Sequence, residues 1–173
     1  WGVAALDLDR DGLDDLVTVH GDDLSTFSDP SRYVGPAHTT AYWNSGDFKF
    51  ADITDSVGLG LRGNWRSLAV GDLEGDGDPD LIVGGVGQVP RVYRNDIESP
   101  LSGFAIRLEG TVSNHLGVGA TIRVEAREGG PIRHYLMGHV SSTKAGSQAL
   151  VFPGIGGEIR AHRVIVSWPS GVE

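Results

Sequence analysis

At 173 residues, with 26 glycines, eight prolines and no cysteine, the chain is long enough to build a real core as one large or two small domains, and it excludes disulfides and thiolate metal sites. A net charge of −9 and a pI near 5.0 argue against nucleic acid and anionic membrane as partners. No apolar run reaches the ~18 residues of a membrane span, and no long stretch keeps a helical period, so the short β-rich runs predict an all-β architecture.

The chain opens at Trp1 almost directly on a predicted strand, Val3-Ala4-Ala5-Leu6, without initiator Met or signal peptide, and reads as a piece of something longer. That strand enters an acidic segment, Asp7-Leu8-Asp9-Arg10-Asp11-Gly12-Leu13-Asp14-Asp15, which leaves through Leu16-Val17-Thr18-Val19. A Gly/Pro/Ser/Asp-rich insertion near residues 21–40 is followed by Ala41-Tyr42-Trp43-Asn44 and Asp47-Phe48-Lys49-Phe50. The strand Ser67-Leu68-Ala69-Val70-Gly71 then enters a second acidic segment, Asp72-Leu73-Glu74-Gly75-Asp76-Gly77-Asp78-Pro79-Asp80, left through Leu81-Ile82-Val83.

Carboxylates at positions 1, 3, 5 and 9 of a loop, with glycine at position 6, place hard oxygen ligands around one point and suit calcium. The candidate ligands are Asp7, Asp9, Asp11 and Asp15 in the first loop and Asp72, Glu74, Asp76 and Asp80 in the second. The backbone carbonyl of Leu13 or Asp78 supplies position 7. About two calcium ions are expected. Ten of the 23 acidic residues lie in these two windows, with Arg10 the only base among them. Two carboxylates ~4 Å apart repel by ~4 kcal/mol at an effective dielectric near 20. Thr18 and Val83 stand where an EF-hand carries its bidentate Glu, so these are hairpin turns between strands, with Gly12 and Gly77 supplying positive φ. The bland alternative is a pair of solvated acidic turns.

Asp96-Ile97-Glu98-Ser99-Pro100 reads as a linker, dividing the chain into residues 1–96 and 97–173. Beyond it Phe104, Ile106 and Leu108 alternate with Ala105, Arg107 and Glu109, Ala120, Ile122, Val124 and Ala126 alternate with Thr121, Arg123, Glu125 and Arg127, and Val164, Val166 and Trp168 fall on one face. Period two predicts half-buried antiparallel strands, joined by turns such as Glu128-Gly129-Gly130-Pro131, in a β-sandwich or partial barrel.

Signatures of catalysis are missing from the sequence. His20, His38, His115, His134, His139 and His162 show no metal-ligand spacing, and there is neither a cysteine nucleophile nor a Gly-x-Ser-x-Gly elbow. Gly117-Val118-Gly119 lacks the helical pattern of a phosphate loop and reads as a bend. Trp1, Trp43, Trp65 and Trp168 are either core anchors or a sugar platform.

With its strands, the first region resembles the FG-GAP/VCBS type of β-propeller repeat of integrin α-subunits, on Asp7, Asp9, Asp11, Gly12 and Asp15 and again on Asp72, Glu74, Asp76, Gly77 and Asp80. Glu74 departs from the usual Asp or Asn; Tyr93-Arg94-Asn95 is similar to a blade-ending motif. The second region resembles the ASPIC/UnbV domain over residues 108–120, Val151-Phe152-Pro153-Gly154-Ile155-Gly156 and residues 164–171. The order of the two resembles the cartilage acidic protein family. That resemblance implies a partial propeller of about two blades followed by a small β domain that ends short of a last strand. A secreted, periplasmic or cell-surface location is expected from the metal, since weak calcium sites fill best outside the cell, and the resemblance adds a non-catalytic binding or adhesion role toward a protein or glycan, with calcium structural. A full propeller has typically 4–8 blades, so the remaining blades of the parent chain are expected partners. The alternative is part of a secreted enzyme or a lectin-like glycan binder, with its site in other blades or at the domain junction.

Overall fold

The computed structural model describes residues 1–21, 38–138 and 146–173, and these form strands and turns with no helix. Most of the insertion near residues 21–40, and His139, lie outside the described residues.

Two antiparallel meanders make up the first region. One sheet runs β1 (Gly2–Leu6), β2 (Asp15–Val19), β3 (Thr40–Asn44) and β4 (Phe50–Asp52) in chain order. The next runs β5 (Trp65–Gly71), β6 (Asp80–Gly85) and β7 (Arg91–Tyr93). Alternation sets their inner faces: in β1 Gly2, Ala4 and Leu6 are buried while Val3 and Ala5 face out. Ala4, Leu6, Val17, Val19, Leu68, Leu81, Val83 and Trp65 share one core, with β1 and β2 packed against β5. Val17, Val19 and Val83 are wholly buried, and each such side chain contributes ~1.5–3 kcal/mol. Two meanders side by side over a common core are the blades of a partial propeller. β7 closes the second sheet as an edge strand, with Val92 exposed on it and Val89 exposed just before it.

In the second region β10 (Thr121–Glu125) lies between β11 (Ile132–Leu136) and β14 (Arg163–Ser167). Ala120, Ile122 and Val124 meet Leu108, Met137 and Ile155 in a second core, on the face that alternation predicts. The alternating run from Phe104 to Leu108 behaves differently and forms no continuous strand. β8 (Ser102–Gly103) pairs with β13 (Gly154–Gly156), and β9 (Ile106–Arg107) with β12 (Leu150–Val151). The ladder breaks at Phe152-Pro153 because proline has no N–H to donate; the Pro153 carbonyl accepts instead from the Phe104 N–H at 3.3 Å.

Candidate metal centre

Both acidic segments are hairpin connections. β1 turns into β2 with Leu6 opposite Asp15, and β5 into β6 with Gly71 opposite Asp80. The last carboxylate of each motif therefore opens the outgoing strand, and both are almost wholly buried. Inside the turns, backbone N–H groups hold the carboxylates in place. Gly12 N–H donates to Asp7 Oδ2 at 2.7 Å and Gly77 N–H to Asp72 Oδ2 at 3.1 Å. Leu8 N–H donates to Asp15 Oδ2 at 3.0 Å and Leu73 N–H to Asp80 Oδ2 at 2.8 Å. Leu13 N–H donates to Asp11 Oδ1 at 2.7 Å and Asp78 N–H to Asp76 Oδ1 at 3.0 Å. The path requires φ of 88° at Gly12 and 91° at Gly77, which glycine adopts at little cost.

An asparagine at or just past the end of the third strand of each sheet closes its loop, a role that sequence reasoning missed. Asn44 N–H donates to Asp15 Oδ1 and Asn95 N–H to Asp80 Oδ1, each at 2.8 Å. Their side-chain amides donate to the Asp14 and Leu8 carbonyls, each at 3.0 Å. The available signal was the shared Tyr-x-Asn of Tyr42-Trp43-Asn44 and Tyr93-Arg94-Asn95. The middle residue touches loop position 3 in both copies: Trp43 Nε1–H donates to Asp9 Oδ2 at 3.1 Å, and Arg94 Nε lies 3.3 Å from Glu74 Oε1.

What each loop leaves unsatisfied is different. Carboxylate oxygens of Asp7, Asp9 and Asp15 lie within 4.8 Å of one another, the converging acidic group among the described residues. Asp7 is 4% exposed, and its Oδ1 is buried with no hydrogen-bond donor. Burial pushes Asp7 up to about 7, against the Gly12 hydrogen bond and with help from the Asp11, Asp9 and Asp15 charges. Burial likewise raises Asp15 to about 6, against the Asn44 and Leu8 N–H groups. In the second loop Asp72 Oδ1 accepts from Gly75 N–H at 2.7 Å and Asp76 N–H at 3.1 Å, so both Asp72 oxygens are engaged.

The other expected ligands sit as follows. Asp11 lies outside the converging group, its carboxyl raised first by burial. Leu13 is at the exposed tip of the turn. Asp78 is buried, and its carboxylate pairs with Arg10 of the first loop. Glu74 and Asp96 share Arg94, the latter at 2.7 Å from its Nε. Asp76 and Asp80 hold the backbone contacts given above.

Asp7 and Asp14 also line a cavity of about 160 Å³ between the first sheet and the second region, walled by Leu6, Tyr135 and Leu150. That is below the ~300–1,000 Å³ of small-molecule sites. Histidine contributes nothing to the converging group among the described residues; His20 bonds Thr18 Oγ1 at 2.7 Å. The tryptophans are dispersed: Trp65 is in the core, Trp1 stacks on Arg66 at 4.1 Å, Trp168 packs on the second core and Trp43 serves the loop.

Residues 7–83, which hold both acidic loops, match the family described as FG-GAP-like repeat. No curated protein matches the chain.

Proposed function

We propose that this FG-GAP-like segment is a calcium-stiffened scaffold in an extracellular binding or adhesion protein, non-catalytic itself, whose partner is a protein or a glycan. The observation that carries the reading is Asp7 Oδ1, buried without a donor among converging carboxylates. An unpaired buried charge is costly, and a divalent cation with hard-oxygen preference offsets it. Asp7, Asp9 and Asp15 hold the ion in the first loop, with Asp11 and the Leu13 carbonyl as further ligands. In the second loop the ligands are Asp72, Glu74, Asp76, Asp80 and the Asp78 carbonyl. That site is weaker, because Arg94 competes for Glu74 and N–H groups already occupy Asp72.

An ASPIC/UnbV-type domain remains our reading of the second region, and with it the two-part plan of the cartilage acidic protein family. It is supported by the built turn within residues 108–120: Asn114 accepts from Val118 N–H at 2.8 Å and donates to Val118 O at 2.7 Å. Gly117, at φ 66°, presses so close to Leu108 that a Cβ would stand 2.7 Å from that residue's Cβ.

Calorimetric titration of the chain tests the calcium reading. We expect one tighter and one weaker site, magnesium a poor substitute because it demands tight octahedral geometry, and a lower melting temperature in chelator. Identical melts in calcium and chelator, with unchanged stoichiometry in the Asp11→Ala/Asp76→Ala double variant, would leave the loops as plain acidic turns.

A further inference from the structure

The first loop is gripped from outside by the chain that follows the blades. Ser99 Oγ–H donates to the Asp9 carbonyl at 2.7 Å, Gly156 N–H to the Arg10 carbonyl at 3.0 Å, and Arg133 to the Asp11 carbonyl at 3.4 Å. Arg133 also donates to the Gly154 carbonyl, tying β11 and β13 together over the loop. Gly154 is buried so tightly that a Cβ there would collide with Asp7 Oδ2 and stand 2.7 Å from the Arg10 carbonyl carbon.

The same segment reaches the second loop with its other end. Val70 N–H donates to Ser147 Oγ at 3.0 Å, Gln148 N–H to the Val70 carbonyl at 3.0 Å, and Asp72 N–H to Gln148 Oε1 at 2.7 Å. Residues 147–156 thus run as a strap across the entrances of both acidic turns. Asp7, the residue with the orphaned oxygen, is enclosed between its own blade and that strap.

We infer that the strap completes the cation site of the first loop, so that calcium occupancy and seating of the second region on the blades form one coupled equilibrium, with Gly154 as a positioning residue. The inference rests on the calcium reading and adds that part of the site lies about 140 residues downstream of the acidic motif (154 minus 15 is 139). The physical reason is reciprocal. Seating the strap removes water from Asp7, which is unfavourable for a bare carboxylate and favourable once a cation is its partner. Losing the ion lets the loop relax, and with it the Arg10 carbonyl that holds the strap and the Asp9 and Asp11 carbonyls that hold Ser99 and Arg133 beside it. By linkage, a change that unseats the strap weakens calcium by the same factor that calcium tightens the strap.

Gly154→Ala tests this from the far side, since the new methyl removes no acidic residue but forces the strap and the Asp7 carboxylate apart. Calorimetry with calcium chloride should show its tighter site weakened by about 5–150-fold, the usual span of coupling between sites. In the unaltered chain, hydrogen exchange at Gly156 and Phe104 should slow when calcium replaces chelator, with β10 amides unchanged as the reference. If the unaltered chain binds calcium but the Gly156 amide and the Phe104 amide that bonds the strap exchange equally with and without it, the coupling is wrong and the calcium reading survives. Equal calcium affinity in a folded Gly154→Ala variant overturns the coupling in the same way. If the unaltered chain binds no calcium, both fall together. Should the variant fail to fold, exchange in the unaltered chain decides alone.

Discussion

Replacing Asp7 with asparagine should stabilise the protein in chelator and destabilise it, relative to the parent, in calcium. Asp7 is raised from 3.8 to about 7, and at ~1.36 kcal/mol per unit, holding it ionised above that pH costs the ion-free fold about 4 kcal/mol. Coulomb repulsion gives a comparable scale: at the 4.8 Å limit each carboxylate pair costs ~3.5 kcal/mol at an effective dielectric of 20. Asparagine keeps the acceptor that Gly12 N–H uses, drops the charge, and turns its amide hydrogens toward Asp9 and Asp15. Allowing for imperfect geometry, the gain in chelator at pH 8 is about 1–3 kcal/mol, or roughly 2–10 °C for a chain of this size. In calcium the parent gains ~2.7 kcal/mol at a hundredfold excess over Kd, while the variant, lacking a central ligand, gains little. Melting curves with and without calcium should therefore cross over in rank. A variant less stable than the parent in chelator, with an undiminished calcium response, would refute the reasoning.

The same burial sets a pH dependence for the ion-free protein. With Asp7 at about 7 and Asp15 at about 6, against 3.8 for the ordinary carboxyl, the folded state binds more protons than the unfolded one between those values. Stability in chelator should therefore fall as pH rises from ~4 to ~7 and level off above, and calcium should flatten the curve; denaturant midpoints at pH 5 and 8 measure this. Trp43 touches Asp9 at 3.1 Å, so calcium should shift tryptophan fluorescence, and Trp43→Phe should remove most of that shift while altering affinity by no more than ~5-fold, the worth of one hydrogen bond. Arg94→Met frees Glu74 from its competing cation, and the weaker calcium site should tighten severalfold in a titration that leaves the first site unchanged.

The features legible in the sequence were those encoded locally. The acidic motifs sit on hairpin turns because β-branched runs flank them directly, and the alternation of residues 120–126 gave the correct buried face because the strand is continuous. What stayed hidden depends on residues far apart. The break between β8 and β9 is caused by Pro153, about 50 positions from the strand it interrupts (153 minus 104 is 49). Asn44 and Asn95 grip Asp15 and Asp80 through backbone N–H groups, so the shared Tyr-x-Asn marks the two positions as equivalent without telling what they hold. The two loops look interchangeable in sequence, yet Asp72 is quenched by Gly75 and Asp76 N–H groups while Asp7 Oδ1 is not. That inequality lies in which backbone N–H groups each turn directs at its first carboxylate, which a spacing pattern does not contain.

Closure of each turn by an asparagine at or just past the end of the third strand separates the length of a blade from the integrity of its centre. Between the second and third strands the first blade carries 20 residues, 20 to 39, and the second only five, 86 to 90, yet Asn44 and Asn95 make the same 2.8 Å contact. Growing a loop fourfold costs only ~1.2 kcal/mol of closure entropy, two doublings at ~0.6 each, and none of that falls on the carboxylates at the opposite end of the hairpin. The number of residues between the second and third strands is therefore free to differ from blade to blade, by descent or by grafting at the bench, because the carboxylate cluster lies at the opposite end of the hairpin.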